Sequence, residues 1–450
     1  MSLDSICKVT ISAAAPTVTR QGYGIPMILG YHSKFSELVR TYTSVAAMAV
    51  DGFAATDPEY IAASKLESQT PPVSTWMVGR RTHAPTQVVV CTPTPVNSAV
   101  YTVKIFGTTY TYTADTSTSA QEIATGLKAL IVADTTLTAV LTPTDAGAVL
   151  TLTGASGKWF SWEVGDNTGN ANGMGSWASV QDTSADSNSN ADITAVAAAS
   201  GAWYAFVTTH QNQVEGAILM AWAENNSRFF GIDLADTIMK TSSTADLAHY
   251  GKAQSYARSF VAYHQIMGEF LSIAWMGSFL SYDPGTYTAK FKTLVGVTPD
   301  VLTDSEIGYL VGTFSAGTFT GGKNANYYKT VSGVAIMSEG WDCSGEFIDK
   351  VIYVDALVSG IQEDEFGVFT SLPKVGFTDA GVALLEAPLR ANLQHGVDIG
   401  ALSSYTVNAA AVSTVPAANR AARNYPYLTF VANLAGAIHS LAVAGAVIGA

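Results

Sequence analysis

Trp203-Tyr204-Ala205-Phe206-Val207-Thr208, then the Ala-rich run from Val214 to Ala223, then Arg228-Phe229-Phe230-Gly231-Ile232-Asp233, form the stretch that decides the fold. The outer two segments are short, apolar and rich in aromatic and β-branched residues, which suits strands buried on both faces. The middle segment has the length and alanine content of a helix. Ser259-Phe260-Val261-Ala262-Tyr263-His264 repeats the strand pattern, and a further helix is expected from Glu269 to Leu280. Strands and helices alternating at this spacing predict an α/β layer around a partly parallel sheet.

Toward the N-terminus, Ile25-Pro26-Met27-Ile28-Leu29 reads as one more buried strand, with Pro26 near its start, where a missing N–H is tolerated. Helical spacing runs from Thr43 to Glu67, with Asp57 as an N-cap and Pro71-Pro72 as a stop. Ser74-Thr75-Trp76-Met77-Val78-Gly79 is then a strand ending in Arg80-Arg81. Between residues 87 and 189 the chain becomes rich in Thr, Ser, Ala and Gly. Tyr101–Ile105 and Thr109–Thr113 alternate about a turn at Gly107, a hairpin. Ser119-Ala120-Gln121-Glu122 has the form of a capping box opening a helix through Ile123, Leu127 and Ile131. Strands are expected at Thr138–Leu141, at Val149–Thr153 and around Phe160–Val164, and the polar stretch Asp182 to Asp192 leads out. This reads as an inserted, peripheral β-rich module.

Toward the C-terminus, Phe347, Val351, Val354, Val358 and Ile361 recur at helical steps, predicting a helix over 344–370 with one apolar face. A second helix is expected from Thr378-Asp379 through Val382, Leu385, Leu389 and Leu393 to Gly396, kinked or broken at Pro388. Leu428 to Ala450 carries no charge and is long enough to span a bilayer. It is dominated by Ala and Gly and interrupted by Asn433, His439 and Ser440, which lower membrane affinity. It reads instead as two strands, Leu428–Ala432 and His439–Val443, hinged at Gly436. The expected fold class is thus a multidomain α/β (α+β) chain: a core sheet flanked by helices, the β-rich insertion, and a C-terminal domain with exchanged terminal strands. The parts are an N-terminal extended arm (1–25), a core domain in two pieces (26–86 and 190–343), the module (87–189), a C-terminal domain (344–427) and a strand arm (428–450).

Composition narrows the function. Over 450 residues, 48% are hydrophobic and only 13% charged, which argues against disorder over most of the chain and is compatible with a surface buried against copies of itself. With 23 Lys+Arg against 36 Asp+Glu, the net charge of −13 argues against direct nucleic-acid binding. The three cysteines, Cys7, Cys91 and Cys343, are far apart and match neither a disulfide framework nor a metal site.

Enzyme motifs fail on inspection. Gly317-Thr318-Phe319-Thr320-Gly321-Gly322-Lys323 has P-loop spacing, but Asn324 stands where Ser or Thr must ligate Mg²⁺. Asp186-Ser187-Asn188-Ser189-Asn190 begins like a calcium loop, yet Ala191 and Ala197 replace its glycine and its bidentate Glu. His210 and His264 stand at strand ends, where α/β enzymes put chemistry, but a lone histidine there is more often a cap or an interface residue. No Gly-x-Ser-x-Gly elbow or His-Glu-x-x-His pair occurs. No cofactor or metal site is expected. Glu363-Asp364-Glu365 is an acidic cluster on the long helix, read as a solvated or docking face rather than a carboxylate site.

The segment Pro284-Gly285-Thr286-Tyr287-Thr288-Ala289-Lys290-Phe291-Lys292 leads to Leu294-Val295-Gly296-Val297-Thr298-Pro299, Leu302-Thr303-Asp304-Ser305-Glu306 and Asn324-Ala325-Asn326-Tyr327-Tyr328. Gly345-Glu346-Phe347-Ile348-Asp349, Phe377-Thr378-Asp379-Ala380-Gly381, Arg423-Asn424-Tyr425-Pro426 and Ala435-Gly436-Ala437-Ile438-His439 follow. In this order the features resemble the tail sheath proteins of contractile-tailed bacteriophages, over residues 200 to 450 and more loosely over 7 to 81. Residues 87 to 189 resemble that family's outward-facing insertions.

The resemblance implies a virion structural protein, made late and assembled in the host cytoplasm, that polymerises helically in stacked rings around a tail tube. Contraction would drive the tube through the host envelope during genome ejection. The implied partners are copies of itself, the tube protein, and baseplate and tail terminator proteins, with no nucleic acid and no stable membrane insertion. Terminal arms would each add a strand to a neighbour's sheet, which points to Val9, Ile11, Leu428, Phe430, Leu441 and Val443 as inter-subunit strand residues. Glu363, Asp364 and Glu365 would face the tube or a neighbour. The alternatives are an α/β hydrolase or nucleotide-binding enzyme, and an adhesin or receptor-binding protein with 87–189 as its binding module.

Overall fold

The computed structural model describes residues 22–165, 174–183, 188–315 and 318–440. These divide into two compact units, one of 22–353 with 437–440 and one of 354–436.

The first unit is built on an eight-stranded sheet. Across it run Val334–Met337, Asn326–Val331, Ser259–Tyr263, Phe229–Leu234, Ala205–Thr208, Pro26–Tyr31, Trp76–Arg81 and Val39–Tyr42. The inner six are parallel; each edge strand is antiparallel to its neighbour. Because successive side chains alternate faces, Phe206, Phe230 and Ile232 enter one core and Phe229, Phe260 and Val207 the other. Helices Pro58–Glu67 and Leu271–Leu280 cover the second face through Leu66, Trp275 and Met276. Ser189–Ala199, Gln213–Asn225, Leu247–Gln254 and Asp304–Val311 cover the first through Val196, Leu219, Leu247 and Leu310. The result is a three-layer sandwich, as the alternation predicts. Gly30 lets the buried Glu59 side chain lie against the strand: a Cβ there would overlap the Glu59 carboxyl.

The helical stretch expected over 43–67 is two helices, Val45–Val50 and Pro58–Glu67, parted by a turn at Gly52 with φ +90°. The polar stretch expected to lead out of the module over Asp182 to Asp192 becomes, from Ser189, the start of a core-packed helix.

The β-rich segment enters on Val88–Thr94 and leaves on Ser176–Asp182, which pair antiparallel, so its two ends return side by side. Val88–Thr94 and Ser176–Asp182 join Leu150–Gly154 and Leu141–Thr144 in one sheet; Thr108–Thr113, Val100–Ile105 and Trp162–Val164 form a second. The helix Ala120–Ala133 packs Ile123, Leu127 and Ile131 into the shared core. Ser119 caps it by accepting from Glu122 N–H, while the Glu122 carboxylate takes the Tyr112 hydroxyl at 2.7 Å instead of closing the capping box.

The helix Ile348–Ser371 buries Ile348, Ile352 and Tyr353 in the first unit and then continues into the second. The apolar face read from sequence is not the buried one: Val354 and Val358 are exposed. Spacing identifies a stripe but not what covers it. The next helix, Asp379–Asp398, runs through Pro388 as one element, which rules out the break among the two outcomes expected there. Proline frees the carbonyl four residues back, and Leu384 is exposed, so water can satisfy it. The two helices meet where Asn392 Nδ2 donates to Asp364 at 2.8 Å, over Gly360, whose missing side chain leaves room for Asn392. Leu402–Ala409 and Leu428–Leu434 then form a two-stranded antiparallel ribbon.

Candidate functional site

In a parallel sheet, ligands bind beyond the carboxyl ends of the strands, so that edge is the first place to test for chemistry. Arg81 ends one strand there and is fully buried, with Nη1 2.8 Å from Glu215 Oε1 and Nε 3.3 Å from Asp192 Oδ2. Thr208 Oγ1 donates to the same Glu215 oxygen at 2.6 Å, and His210 Nδ1 lies 2.7 Å from Glu215 Oε2. Burial works to lower the His210 pKa, but the Glu215 hydrogen bond and charge carry it above the usual value. Asn212 caps the helix that supplies Glu215, accepting from its N–H at 2.8 Å.

His264 ends the next strand but one. Its Nδ1 is 3.2 Å from Asp300 and its Nε2 3.2 Å from Glu269. Burial opposes its protonation, yet the charge and hydrogen bond of Asp300 and the bond to Glu269 raise its pKa to about 10. Glu269, whose burial works the other way, is held at about 2, chiefly by His264 and the backbone of Thr298. These are interlocked, buried ion pairs.

The β-rich segment sits over this edge. Trp159 stacks on Phe270 at 6.0 Å, Val180 N–H donates to Thr237 Oγ1 at 2.9 Å, and Ala235 and Met267 belong to its hydrophobic core. The cavity left among Trp162, Gln211 and Asp236 holds about 10 Å³, room for one water at most. Lys323, the lysine of the P-loop spacing, is turned inward: Nζ meets Asp246 Oδ2 at 2.5 Å and the carbonyls of Ile238 and Met239 at 3.0 and 2.9 Å. A strand, Asn326–Val331, follows it instead of a helix, so no helix N-terminus faces a phosphate. Among the described residues no group of three or more His, Cys, Asp or Glu is placed to hold a metal, and no helix is long and apolar enough to cross a membrane.

The exposed apolar surface lies elsewhere. The strand expected at Leu428–Ala432 is present as Leu428–Leu434, and within the chain it pairs with Leu402–Ala409. Strand propensity is local and says nothing about which backbone completes the ladder. Among the described residues each strand of the ribbon has one partner only, so two edges are open. Phe430, Val431 and Leu434 stay exposed. His439 and Ser440, expected to begin a further strand, are not in one, and Val9, Ile11, Leu441 and Val443 lie outside the described residues. Glu363, Asp364 and Glu365 are all half-buried: Glu363 accepts from Ser359 Oγ at 2.9 Å, Asp364 from Asn392, and burial raises the Glu365 pKa.

A second exposed feature, missed in the sequence, is a groove of about 680 Å³ in the first unit, walled by Phe314, Phe319, Trp341 and Phe347, with His439 and Ser440 at its rim. No periodic signal could have found it, because its lining comes from five separate segments.

No protein-family model matches this sequence, and no curated protein matches it. Solved structures do share its architecture. The chain is similar over 99% of its length, and 98% of the other chain, to the PVC sheath complex of an extracellular contractile injection system in its contracted state, with TM-score 0.51 and 9% identity. A chain of the anti-feeding prophage baseplate covers 100% of it at TM-score 0.49 and 9% identity, with 99% of that chain matched. The sheath tail protein of Listeria innocua covers 88% at TM-score 0.44 and 11% identity, with 90% of that chain matched. The first of these likenesses carries the assignment, and at such identity it speaks to fold: the chain has the fold of a contractile sheath protein.

Proposed function

We propose that this chain is the structural subunit of a contractile tail sheath, stacking in rings around a tail tube and shortening to drive the tube through a host envelope during genome delivery. The observation that carries the reading is the open ribbon of 402–409 and 428–434, set in a chain whose whole length follows a sheath fold. The ribbon is backed by the helix Asp379–Asp398 through Leu402 and Val407, and its open edges can take further strands. Strands from neighbouring copies, through Val9 and Ile11 at one end and Leu441 and Val443 at the other, would supply them beside Leu428 and Phe430. The main-chain ladder then holds subunits together while the sheet-bearing units rearrange.

In this reading 1–25 and 428–450 are arms, 26–86 with 190–343 the sheath core, 87–189 a peripheral insertion, and 344–427 the tube-facing domain, with Glu363, Asp364 and Glu365 on its tube- or neighbour-facing helix. Its partners are further copies, a tube protein, and baseplate and terminator proteins, in a phage virion assembled in the host cytoplasm. Catalysis has no part in it: the interlocked pairs around His210 and His264 and the covered carboxyl edge of the sheet support a purely mechanical role. The test is to purify the chain, sediment it and examine it by negative-stain electron microscopy. Rings or tubes without added nucleotide are expected; a strict monomer at high concentration that turns over a substrate refutes the reading.

A further inference from the structure

The groove walled by Phe314, Phe319, Trp341 and Phe347 has aromatic surface that water meets at a cost. Phe314 is 51% exposed. Phe314 and Phe319 lie 4.9 Å apart, and Phe319 meets Trp341 edge-on at 4.9 Å. Its lining carboxylate, Glu339, is already matched within the protein, and its lysines are held in place. Lys290 pairs with Glu339 at 2.7 Å, and Lys252 Nζ donates to the carbonyls of Gly321 and Gly322 at 3.1 and 2.7 Å. A cationic ligand therefore finds no free carboxylate among these groups, whereas an apolar one can cover the aromatic walls without breaking either arrangement.

The chain itself delivers such a ligand. His439 is fixed at the rim, with Nε2 2.8 Å from Thr288 Oγ1 and its ring edge-on to Phe347 at 4.7 Å and to Phe291 at 6.0 Å. Ser440 lines the groove. From there the sequence runs Leu441-Ala442-Val443-Ala444-Gly445-Ala446-Val447-Ile448-Gly449-Ala450, without a charge. Its branched residues can fill aromatic hollows, and its Ala and Gly allow close approach. Ten residues reach about 33–36 Å when extended, so the segment is long enough to lie along the groove. With no linker between rim and segment, the effective local concentration is on the order of millimolar, well above that of a second copy in dilute solution.

We propose that in the unassembled subunit residues 441–450 dock into this groove of their own chain and keep the terminal strand from pairing with neighbours. The proposal rests on the sheath reading for its consequence: assembly must draw the segment out, so docking sets a brake on polymerisation. A small apolar ligand or a second copy's terminus are the rival occupants.

The test places cysteines at Phe314 and at Val443 or Val447 in the full chain, with Cys7→Ser, and oxidises it at low micromolar concentration, with thiol titration confirming that both cysteines react and circular dichroism confirming the fold. Most of the chain is expected to form an intrachain disulfide, seen as a monomer of raised gel mobility and located by peptide mapping. Disulfide-linked dimers, or reactive cysteines that form no bond in either pair, overturn the proposal. As a second arm, Phe314→Lys should shorten the polymerisation lag several-fold, and an unchanged lag counts against the brake. The disulfide is read before any polymer forms. An intrachain bond in a chain that never makes tubes would thus sink the sheath reading and leave the docking in place.

Discussion

The strands Phe229–Leu234 and Leu428–Leu434 are of similar length and comparably apolar, yet the first is buried at all six positions and the second at none of its seven. The first lies between two parallel neighbours with helices on both faces; the second has one antiparallel partner. Identical local physics thus yields a core in one place and an unfinished surface in the other. Phe230 stabilises the monomer. Phe430 awaits something outside it.

The sharpest way to break this contrast is Phe230→Ala. A buried phenylalanine truncated in a packed core costs about 3–5 kcal/mol, and the urea midpoint of the monomer should fall accordingly. A loss below about 1 kcal/mol would mean that the sheet is no better packed than the ribbon.

His264→Gln comes next. Its folded pKa of about 10 lies above the ordinary 6.5, so its stabilisation is complete below pH 6.5 and is lost as pH rises through 10. Removing one partner of a buried ion cluster costs about 3–5 kcal/mol, and that cost should be seen in full near pH 6 and shrink toward pH 10. Urea unfolding at a series of pH values measures it; a cost independent of pH would contradict the ion-pair assignment.

Glu59→Gln should act in the opposite direction. Burial raises the Glu59 pKa from 4.5 to about 8, so the folded state holds a proton that the unfolded chain releases, and stability falls as pH rises between those values. The slope from this one group is at most about 1.4 kcal/mol per pH unit. The variant should flatten the curve over that window and match or exceed the parent at pH 8; a variant less stable at pH 8 refutes it.

Smallest in the monomer is Phe430→Asp. At an exposed ribbon position the stability change should stay within about 0.5 kcal/mol. Sedimentation should nevertheless show polymers lost, which sharpens the comparison: the same residue type contributes to folding in one strand and to association in the other. Unimpaired tubes would remove Phe430 from the interface.

Much of the fold is legible in the residues. Apolar runs at Phe229–Asp233 and Ser259–Tyr263, the turn at Gly107 and the Ser119 cap each act over a few residues, and each element forms where its pattern lies. The parallel sheet follows from their alternation, because a strand that leads into a helix must return on the same side. Less regular stretches were not legible: Leu247–Gln254, with its short His-, Tyr- and Lys-bearing pattern, and Ser176–Asp182, which follows a Gly- and Asn-rich run.

What the residues cannot carry is the identity of a distant partner. His264 finds Asp300 36 positions away, Arg81 finds Glu215 across 134, and Leu428–Leu434 takes Leu402–Ala409 of its own chain. The β-rich segment reads as self-contained, and only the tertiary structure seats Trp159 on Phe270 over the carboxyl edge of the sheet. The reason is physical. Backbone propensity and periodicity are set by each residue and its near neighbours, whereas burial, ion pairing and the groove beside Ser440 depend on which segments the chain brings together, and neither segment records the other.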